Sequence, residues 1–321
     1  MNIKKLLTIL LALSLALTLC LVLVSCGEEE ETSGGNKKPS GGGAGEVVVH
    51  YGPLYEMTSD GTYAVIGYRH DGETTKIEIP AVYEKCKVTS IADRAFENCD
   101  YITELVLPDT ILSIGSYAFS ACDGITSLSI PASTQEIGSR AFYNCSKLSS
   151  VDFKYDADAT AELSIGAYAF ASCTALNGTL TLSESVCSVG EGAFFGCTAI
   201  DSVAFSKSLA ALGDSSFYGC TELASASFAA GCAVETISAK AFMGCSKLAS
   251  IALPEGVSKI AYDAFRDCAL LKEITLPSTL KTIGSFAFYG CQINTVNLPS
   301  ADFLNSVEMV DKYSNPSWAN G

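Results

Sequence analysis

The chain has 321 residues, of which 48% are hydrophobic, and it carries 20 basic and 35 acidic side chains for a net charge of −15. That length and apolar fraction suffice for a sizeable core, while the acidic excess argues against binding to the phosphate backbone of nucleic acids. The acidic residues are scattered along the chain, which is typical of a soluble surface rather than of a focused site.

Residues 1–25 have the composition of an export signal. A basic start (Lys4 and Lys5) precedes an uncharged, predominantly apolar stretch from Leu6 to Val24. Its end, Leu23-Val24-Ser25-Cys26, resembles the bacterial lipobox, and that resemblance implies cleavage before Cys26 and lipidation of its thiol. The alternative is an uncleaved transmembrane helix, because 19 predominantly apolar residues nearly span a bilayer. Either interpretation predicts that the rest of the chain lies outside the cytoplasm.

The next two segments differ sharply in composition. Residues 26–45 are acidic and Gly-rich, which predicts a flexible tether. Residues 46–91 contain the runs VVVHY, TYAVIGY and TTKIEIP, which predict strands separated by SDG and HDGE turns. Val88 and Ile91 already follow the spacing of the units after them, so this segment is predicted to be an N-terminal β cap.

Residues 92–299 repeat a pattern of about 23 residues in about nine units. Its mark is a Phe followed three residues later by a Cys. The Phe residues are Phe96, Phe119, Phe142, Phe170, Phe194, Phe217, Phe242, Phe265 and Phe288. The Cys residues are Cys99, Cys122, Cys145, Cys173, Cys197, Cys220, Cys245, Cys268 and Cys291. A packing motif recurs once per structural unit, whereas a catalytic motif occurs once in a chain.

One unit, LKEITLPSTLKTIGSFAFYGC (residues 271–291), shows the pattern. Ile274 and Leu276 alternate with Thr275, which predicts a short strand, and Pro277 ends it because proline has no amide to donate. Such a unit cannot bury its own apolar side chains, so neighbouring units must stack.

The pattern L-x-x-I-x-L-P followed by I-G-x-x-A-F-x-x-C resembles the BspA-like (Treponema-type) class of leucine-rich repeats, roughly over residues 88–299. The resemblance implies a repeat solenoid, a right-handed leucine-rich-repeat superhelix that is β-rich, with a parallel sheet and short helical turns. Right-handedness also follows from the general rule for parallel crossovers. The family includes adhesins of host-associated bacteria.

Small residues hold two fixed places in each unit. The residue before the repeated Phe is Ala in eight units and Ser216 in the ninth, and the residue after the repeated Ile is Gly in six. Ala92, Ser238 and Ala261 replace that Gly elsewhere, and alanine tolerates positive φ poorly. We therefore expect close approach between coils about 4.8 Å apart to require the small residue.

Fourteen cysteines in an exported chain first suggest disulfides. Nine of them, however, share one repeat position, which predicts a column of buried, reduced thiols. The short C-x2–4-C pairs of zinc sites are absent from the sequence, so neither a metal nor a cofactor is expected. The sequence leaves open whether Cys86, Cys187 or Cys232 forms a disulfide.

Two short motifs also occur in enzymes. Asp156-Ala-Asp158-Ala-Thr160 matches the nucleophile motif of haloacid dehalogenase phosphatases, but it lies in the inserted stretch 154–162, where a solvated loop is expected. Gly213-Asp214-Ser215 resembles the start of one esterase family, but it occupies the I-G-x-x-A-F register. Only His50 and His70 could act as a base, and both lie far from it along the chain. The sequence therefore predicts no enzyme.

Two surfaces could bind a partner. Outward positions of the predicted strands are mostly Ser and Thr and contain no Trp, Tyr or Arg, the residues that dominate protein hot spots. The residue after the repeated Phe is more aromatic, although partly buried packing is the alternative interpretation. The candidate contact residues are Tyr143, Phe195, Tyr218 and Tyr289 at that position, with Asp156 and Asp158 of the inserted loop. We expect the loop and nearby Tyr143 to contribute most.

Residues 300–321 leave the pattern and are predicted to form a C-terminal cap that includes Trp318. The resulting hypothesis is a lipid-anchored, non-catalytic binding protein at the cell surface, a monomer that recognises an extracellular or host protein or glycan. A structural spacer or a subunit of an envelope complex is the alternative. Patches of aromatic and Arg residues on one face would favour binding, and an unbroken polar surface would favour the spacer.

Overall fold

The structure, a computed structural model, describes residues 51–158, 161–311 and 315. The chain divides into two units, residues 1–49 and 50–321, and all described residues belong to the second. The predicted leader, the tether with Cys26, the run before Tyr51 and the lid residue Trp318 therefore lie outside the described residues.

Short strands account for nearly all regular structure in the described residues. They are β1 (Gly52–Met57), β2 (Tyr63–Arg69), β3 (Lys76–Glu78), β4 (Val82–Tyr83), β5 (Cys86–Ile91), β6 (Glu104–Val106), β7 (Ser113–Ile114), β8 (Ser127–Ile130), β9 (Glu136–Ile137), β10 (Ser150–Phe153), β11 (Leu163–Ile165), β12 (Gly178–Thr181), β13 (Val186–Val189), β14 (Ile200–Phe205), β15 (Ala211–Leu212), β16 (Ser225–Phe228), β17 (Thr236–Ile237), β18 (Ser250–Ala252), β19 (Lys259–Ile260), β20 (Glu273–Thr275), β21 (Thr282–Ile283), β22 (Thr295–Asn297) and β23 (Glu308–Met309). One short 3-10 helix spans Phe303–Ser306.

The strands wind into a parallel solenoid whose coils have three sides. The first side holds the strands of the L-x-x-I-x-L segment, namely β3, β6, β8, β10, β12, β14, β16, β18, β20 and β22. The second side holds the strands of the I-G segment, namely β2, β5, β7, β9, β11, β13, β15, β17, β19, β21 and β23. The third, called the turn side here, carries the repeated Ala-Phe segment back to the next first-side strand. The predicted leucine-rich-repeat solenoid is confirmed, with about eleven coils.

The core is a set of side-chain columns that run along the solenoid. The Phe column (Phe96, Phe119, Phe142, Phe170, Phe194, Phe217, Phe242, Phe265 and Phe288) is fully buried. Neighbouring rings lie 4.9–5.7 Å apart between centroids and are tilted by no more than 14°. Each ring therefore packs against the rings of both neighbouring coils, which is why one unit alone has no core.

The turn side is hydrogen-bonded from coil to coil without forming strands. Three N–H groups per coil donate to carbonyls of the next coil, as Arg94 N does to Ser116 O at 2.9 Å and Phe96 N to Ala118 O at 2.8 Å. Two positions per coil have positive φ, one two residues before the column Phe and one two residues after it. The predicted short helical turns are thus successive hydrogen-bonded turns, and the described residues contain no α-helix.

Close approach between coils explains the repeated glycine. A Cβ added to Gly138 would lie 2.6 Å from the backbone nitrogen of Ser116 and 2.7 Å from the carbonyl carbon of Gly115. Gly138 has no positive φ. The prediction that smallness, not a left-handed backbone, requires this residue is confirmed.

Both ends of the solenoid are closed by segments outside the predicted array. At the start, β2 and β3 already pair in parallel with β5 and β6, and β1 pairs antiparallel with β2. The sequence did not predict β1, because Gly52 and Pro53 are poor strand residues away from an edge. At the end, β23 pairs with β21, and the buried Asn315 side chain accepts a bond from Phe288 N at 3.2 Å and donates one to Gly284 O at 3.0 Å. Asn315 thus replaces the hydrogen bonds of a further coil.

Candidate contact surface

The sequence-predicted contact residues lie on different sides of the coil. The aromatic ones, Tyr143, Phe195, Tyr218 and Tyr289, are on the turn side, directly after column Phe residues. Asp156 and Asp158 are exposed in the loop between β10 and β11, which joins the first side to the second. The loop and Tyr143 therefore do not share a side of the coil, contrary to the expected grouping.

An Arg/Tyr row (Arg94, Tyr117, Arg140 and Tyr168) follows the turn side across successive coils, two residues before each column Phe. The Arg94 guanidinium lies 4.4 Å from the centroid of the Tyr117 ring. The Arg140 guanidinium lies 5.6 Å from the same ring and 5.1 Å from the Tyr168 ring, and it donates to the Tyr117 hydroxyl at 2.9 Å. Cation and ring thus alternate along the row, an arrangement that stabilises both.

The row continues into part of the predicted aromatic set. Tyr168 and Phe195 have ring centroids 6.3 Å apart, and Phe195 stacks on Tyr218 at 4.8 Å with the planes 3° apart. The surface from Arg94 to Tyr218 therefore spans six successive coils. Of the other predicted residues, Tyr143 is 37% exposed and Tyr289 is 50% exposed, with Arg266 lying 5.2 Å from the Tyr289 ring.

Arginine is concentrated on this side of the molecule. The chain has only four arginines, at positions 69, 94, 140 and 266. Three of them, Arg94, Arg140 and Arg266, lie over aromatic rings of the turn side. The sequence analysis did not identify the row, because the position two residues before the column Phe holds a different residue type in almost every unit. Comparing that position across the first four units, where it is Arg, Tyr, Arg and Tyr, would have identified the row.

The row residues are held in an unfavourable backbone conformation. Arg94, Tyr117, Arg140 and Tyr168 have φ between 55° and 58°, a region that costs non-glycine residues about 1–2 kcal/mol. The other positive-φ position of the coil, two residues after the column Phe, is mostly Gly, Asn or Asp, as at Gly196. Large side chains therefore occupy the first position although Gly, Asn or Asp would adopt this backbone with less strain, which points to a role for the side chains themselves.

Arg94 and Tyr168 of the row bond to carboxylates, whereas Arg140 bonds to no described carboxylate. Arg94 forms an ion pair with Glu97 at 2.7 Å, and the Tyr168 hydroxyl donates to Glu191 at 2.8 Å, a bond that raises the pKa of Tyr168. Arg140 has no carboxylate within ion-pair distance among residues 51–158 and 161–311. The row thus contains one ordered guanidinium that forms no ion pair within the part of the chain that the structure describes.

An open groove of about 550 Å³ lies beside the row, over the second side. The residues that immediately precede row members, namely Ser116, Ser139 and Ala167, line it together with Glu136 and the small residues Gly138 and Gly166. The groove exists because small side chains are needed where the coils approach closely. It gives a partner of the row room for an extended segment.

The residues of the enzyme-like motifs have structural roles. The His70 ring stacks on Tyr101 at 3.7 Å, and its Nε2 lies 2.8 Å from the carbonyl oxygen of Thr74. The Ser215 amide donates to Ala239 O at 2.8 Å, and the Asp214 carboxylate accepts a bond from Ala239 N at 3.1 Å, so both hold neighbouring coils together. Asp156 accepts a bond from the amide of Asp158 at 3.0 Å. His50 and Thr160 lie outside the described residues. No nucleophile, base and orienting group come together in the part of the chain that the structure describes.

The cysteine thiols are hydrogen-bond donors. Each column Cys from Cys122 to Cys291 places its Sγ 3.0–3.3 Å from the carbonyl oxygen of the column Phe of the preceding coil. Seven of the nine column cysteines are buried, and Cys99 and Cys291 at the ends are half-buried. Burial raises the pKa of Cys197 to about 12, so the thiol stays neutral and unreactive. The twelve described cysteines, including Cys86, Cys187 and Cys232, are free thiols.

The described residues hold neither a metal-binding cluster nor a membrane-spanning helix. Among them, no three His, Cys, Asp or Glu side chains are arranged to hold a metal ion. None of the helices described there is long and apolar enough to span a bilayer.

Three-sided parallel coils around a column of Phe residues define a solenoid of leucine-rich repeats. The chain belongs to the family of the BspA-type leucine-rich-repeat region, which matches in six copies over residues 68–162, 159–234 and 235–309. No curated protein matches the sequence.

Solved structures of bacterial leucine-rich-repeat proteins are similar to this chain at low identity. One is a leucine-rich cell surface protein of Faecalibacterium prausnitzii, with 21% identity, covering 83% of this chain and 98% of that chain, at a TM-score of 0.41. Another is a leucine-rich-repeat protein of T. pallidum, with 23% identity, covering 75% of this chain and 86% of that chain, at a TM-score of 0.46.

Proposed function

We propose that the protein is a non-catalytic binding protein displayed outside the cytoplasm, and that it recognises a protein or glycan through the turn side. The observation that carries the proposal is the continuous surface from Arg94 to Tyr218, in which Arg, Tyr and Phe side chains contact each other across six coils. Arg and Tyr are enriched among the residues that dominate binding energy in protein interfaces.

The same observation favours binding over a structural spacer. A spacer needs only buried columns and a soluble surface, and the mostly half-buried positions two residues before the column Phe would be free to hold residues that tolerate positive φ. Tyr117 and Arg140 instead occupy a strained position and are ordered by stacking before any partner arrives. Preordered side chains lose less conformational entropy on binding.

Display at the cell surface is supported by the export-signal composition of residues 1–25, and lipid anchoring by the lipobox-like sequence Leu23-Val24-Ser25-Cys26. The lipobox-like sequence ends at Cys26, and an acidic tether of about 20 residues separates it from the solenoid. The relative from Faecalibacterium prausnitzii is itself described as a cell surface protein. Metabolic labelling with a radioactive fatty acid tests the anchor: the parent should incorporate label, and Cys26→Ala should not and should accumulate as unprocessed precursor. Normal labelling of Cys26→Ala would contradict it.

The binding proposal is tested with the purified protein on arrays of extracellular-matrix proteins and glycans. The double variant Tyr117→Ala/Tyr168→Ala removes both rings of the row, and Ser127→Ala/Ser129→Ala serves as the control because these residues are exposed on the first side. The row variant should bind captured partners at least tenfold more weakly, since hot-spot side chains each contribute more than about 1.4 kcal/mol. Binding lost only in the first-side variant would overturn the proposal.

A further inference from the structure

We propose that Arg140 is the anchor of an anion site in the Arg/Tyr row, and that its partner is an extended polypeptide segment carrying an Asp or Glu carboxylate. The inference rests on the proposed binding function and narrows it to a class of partner and to one anchoring side chain.

The first argument is that Arg140 is ordered but electrostatically unsatisfied. Its guanidinium lies between the rings of Tyr117 and Tyr168, and one nitrogen donates to the Tyr117 hydroxyl. A guanidinium has five N–H donors in a planar fork, so most of them remain available for a carboxylate. Because the rings fix its plane, a bidentate contact would cost little side-chain entropy.

The second argument comes from the charge of the whole chain. With 35 acidic and 20 basic side chains, carboxylates are plentiful, and the two other arginines of the turn side have them. Arg94 pairs with Glu97, and Arg266 pairs with Asp263 and Asp267. No described carboxylate lies within 4 Å of Arg140. An ordered, unpaired arginine in an acidic chain has the charge complementary to an incoming carboxylate.

The third argument favours a peptide over a sugar. Sugar rings commonly bind by lying flat on an exposed aromatic face. Two guanidinium groups already lie against the Tyr117 ring, that of Arg94 at 4.4 Å from its centroid and that of Arg140 at 5.6 Å and bonded to its hydroxyl, and Phe195 and Tyr218 cover one face of each other. The groups left to contact a partner are ring edges, one hydroxyl and the N–H groups of the Arg140 guanidinium. These suit a carboxylate flanked by small or apolar residues, and the neighbouring groove can hold extended backbone.

The surroundings also limit how acidic the segment can be. Glu97 and Glu191 lie along the row, and Glu136 lines the groove. They would repel further carboxylates, so one acidic side chain at Arg140 within a weakly charged segment is favoured over a polyacidic run. Such a contact is charge-assisted and will weaken as salt screens it.

A display library of random dodecapeptides, selected against the purified protein, tests this inference. Peptides selected on the parent should be enriched in Asp or Glu at one position, and those selected on Arg140→Gln should not be. A selected peptide, labelled with fluorescein, should bind Arg140→Gln about tenfold more weakly by anisotropy, the size expected of about 1.4 kcal/mol. Its Asp→Asn or Glu→Gln copy should lose the same factor on the parent and nothing further on Arg140→Gln.

Controls separate this inference from the proposed function. Lys207→Gln removes the same charge at an exposed position between β14 and β15 and should bind like the parent. Arg140→Lys keeps the charge without the planar guanidinium and should recover only part of the affinity, which covers the case in which Arg140→Gln does not fold.

Selected peptides without an acidic preference, or equal binding by Arg140→Gln, would overturn the anion site. If Tyr117→Ala/Tyr168→Ala still lost binding, the proposed function would stand. Hyaluronan bound through Arg140, with no peptide selected, would replace the peptide by an acidic glycan and overturn the inference.

Discussion

A single hydroxyl distinguishes Ser216 from the alanines that precede the column Phe in the other eight coils. Ser216 is fully buried, and its Oγ has no hydrogen-bond partner among the described residues. A buried hydroxyl without a partner costs about 1–3 kcal/mol. Ser216→Ala should therefore raise the free energy of unfolding by about 1 kcal/mol, measured by urea denaturation.

The reciprocal change provides the control. Ala241 holds the same position one coil later and is equally buried, so Ala241→Ser should lower the free energy of unfolding by a similar amount. If Ser216→Ala were less stable than the parent, the hydroxyl would have a partner after all.

The approach of Gly138 to the previous coil allows a second test at the residue scale. Ala at this position would put its Cβ against backbone atoms of Gly115 and Ser116, which cannot move without separating the coils. Gly138→Ala should lower the free energy of unfolding by about 1–3 kcal/mol, the usual cost of overpacking. Gly67→Ala is the control, because its Cβ would meet the nearest atoms at 3.7 Å. Equal melting of the two variants would show that the coils can separate without cost.

At the scale of the repeated element, the thiol column links stability to alkaline pH. Burial holds the pKa of Cys197 at about 12, well above the ordinary value of 9.0, and raises those of Cys122, Cys220 and Cys245. Between pH 9 and 12 the unfolded chain loses thiol protons that the folded chain keeps. The free energy of unfolding should therefore be constant with respect to these thiols below pH 8 and fall steadily above pH 9.

Denaturation at pH 7, 9 and 10.5 measures this effect, with Cys197→Ala as the comparison. That variant loses a packed thiol and is less stable at pH 7, but its decline with pH should be shallower by the contribution of one thiol. A thiol reagent at pH 8 should label the column cysteines of the unfolded, unreduced protein and few of those in the folded protein. Column cysteines found paired by mass spectrometry would contradict this and make the array a disulfide scaffold.

At the scale of the whole molecule, the inserted loop should be dispensable for folding. Residues 155–158 are exposed, and the bond from Asp158 to Asp156 stays within the loop. Deleting residues 155–159 restores a 23-residue step from the present 28 and should change the free energy of unfolding by less than about 1 kcal/mol. Thermal unfolding followed by circular dichroism measures it.

A deletion of equal length at the same corner of the preceding coil is the matched control. Residues 131–135 include Thr134, which is buried and donates to Ile111 O at 3.2 Å, so their removal should unfold the coil. If both deletions unfolded the protein, the loop would be part of the core. If the loop deletion folded but also lost binding to array partners, the contact surface would include the corner loop as well as the turn side.

The sequence by itself determined the features that every coil must repeat. Phe142 and its counterparts can be read from the sequence because a buried ring must pack on the rings of both neighbours, so the residue type cannot change. The small residue at the position of Gly138 can be read for a related reason, since it packs against backbone of the previous coil, although three units hold Ala or Ser there. Period, core and family follow from these constraints.

Only the tertiary structure decided what the non-repeating positions do. Arg94, Tyr117 and Arg140 are 23 residues apart, and nothing in their local sequence shows that stacking places their side chains in contact. Their position demands only an outward side chain on a left-handed backbone, so its residue type varies and gives no repeat signal. The sequence did not show that the thiols donate hydrogen bonds either, because the carbonyl that accepts from Cys145 belongs to Phe119 of another coil. A repeated core is encoded within one unit, whereas a contact surface is formed between units.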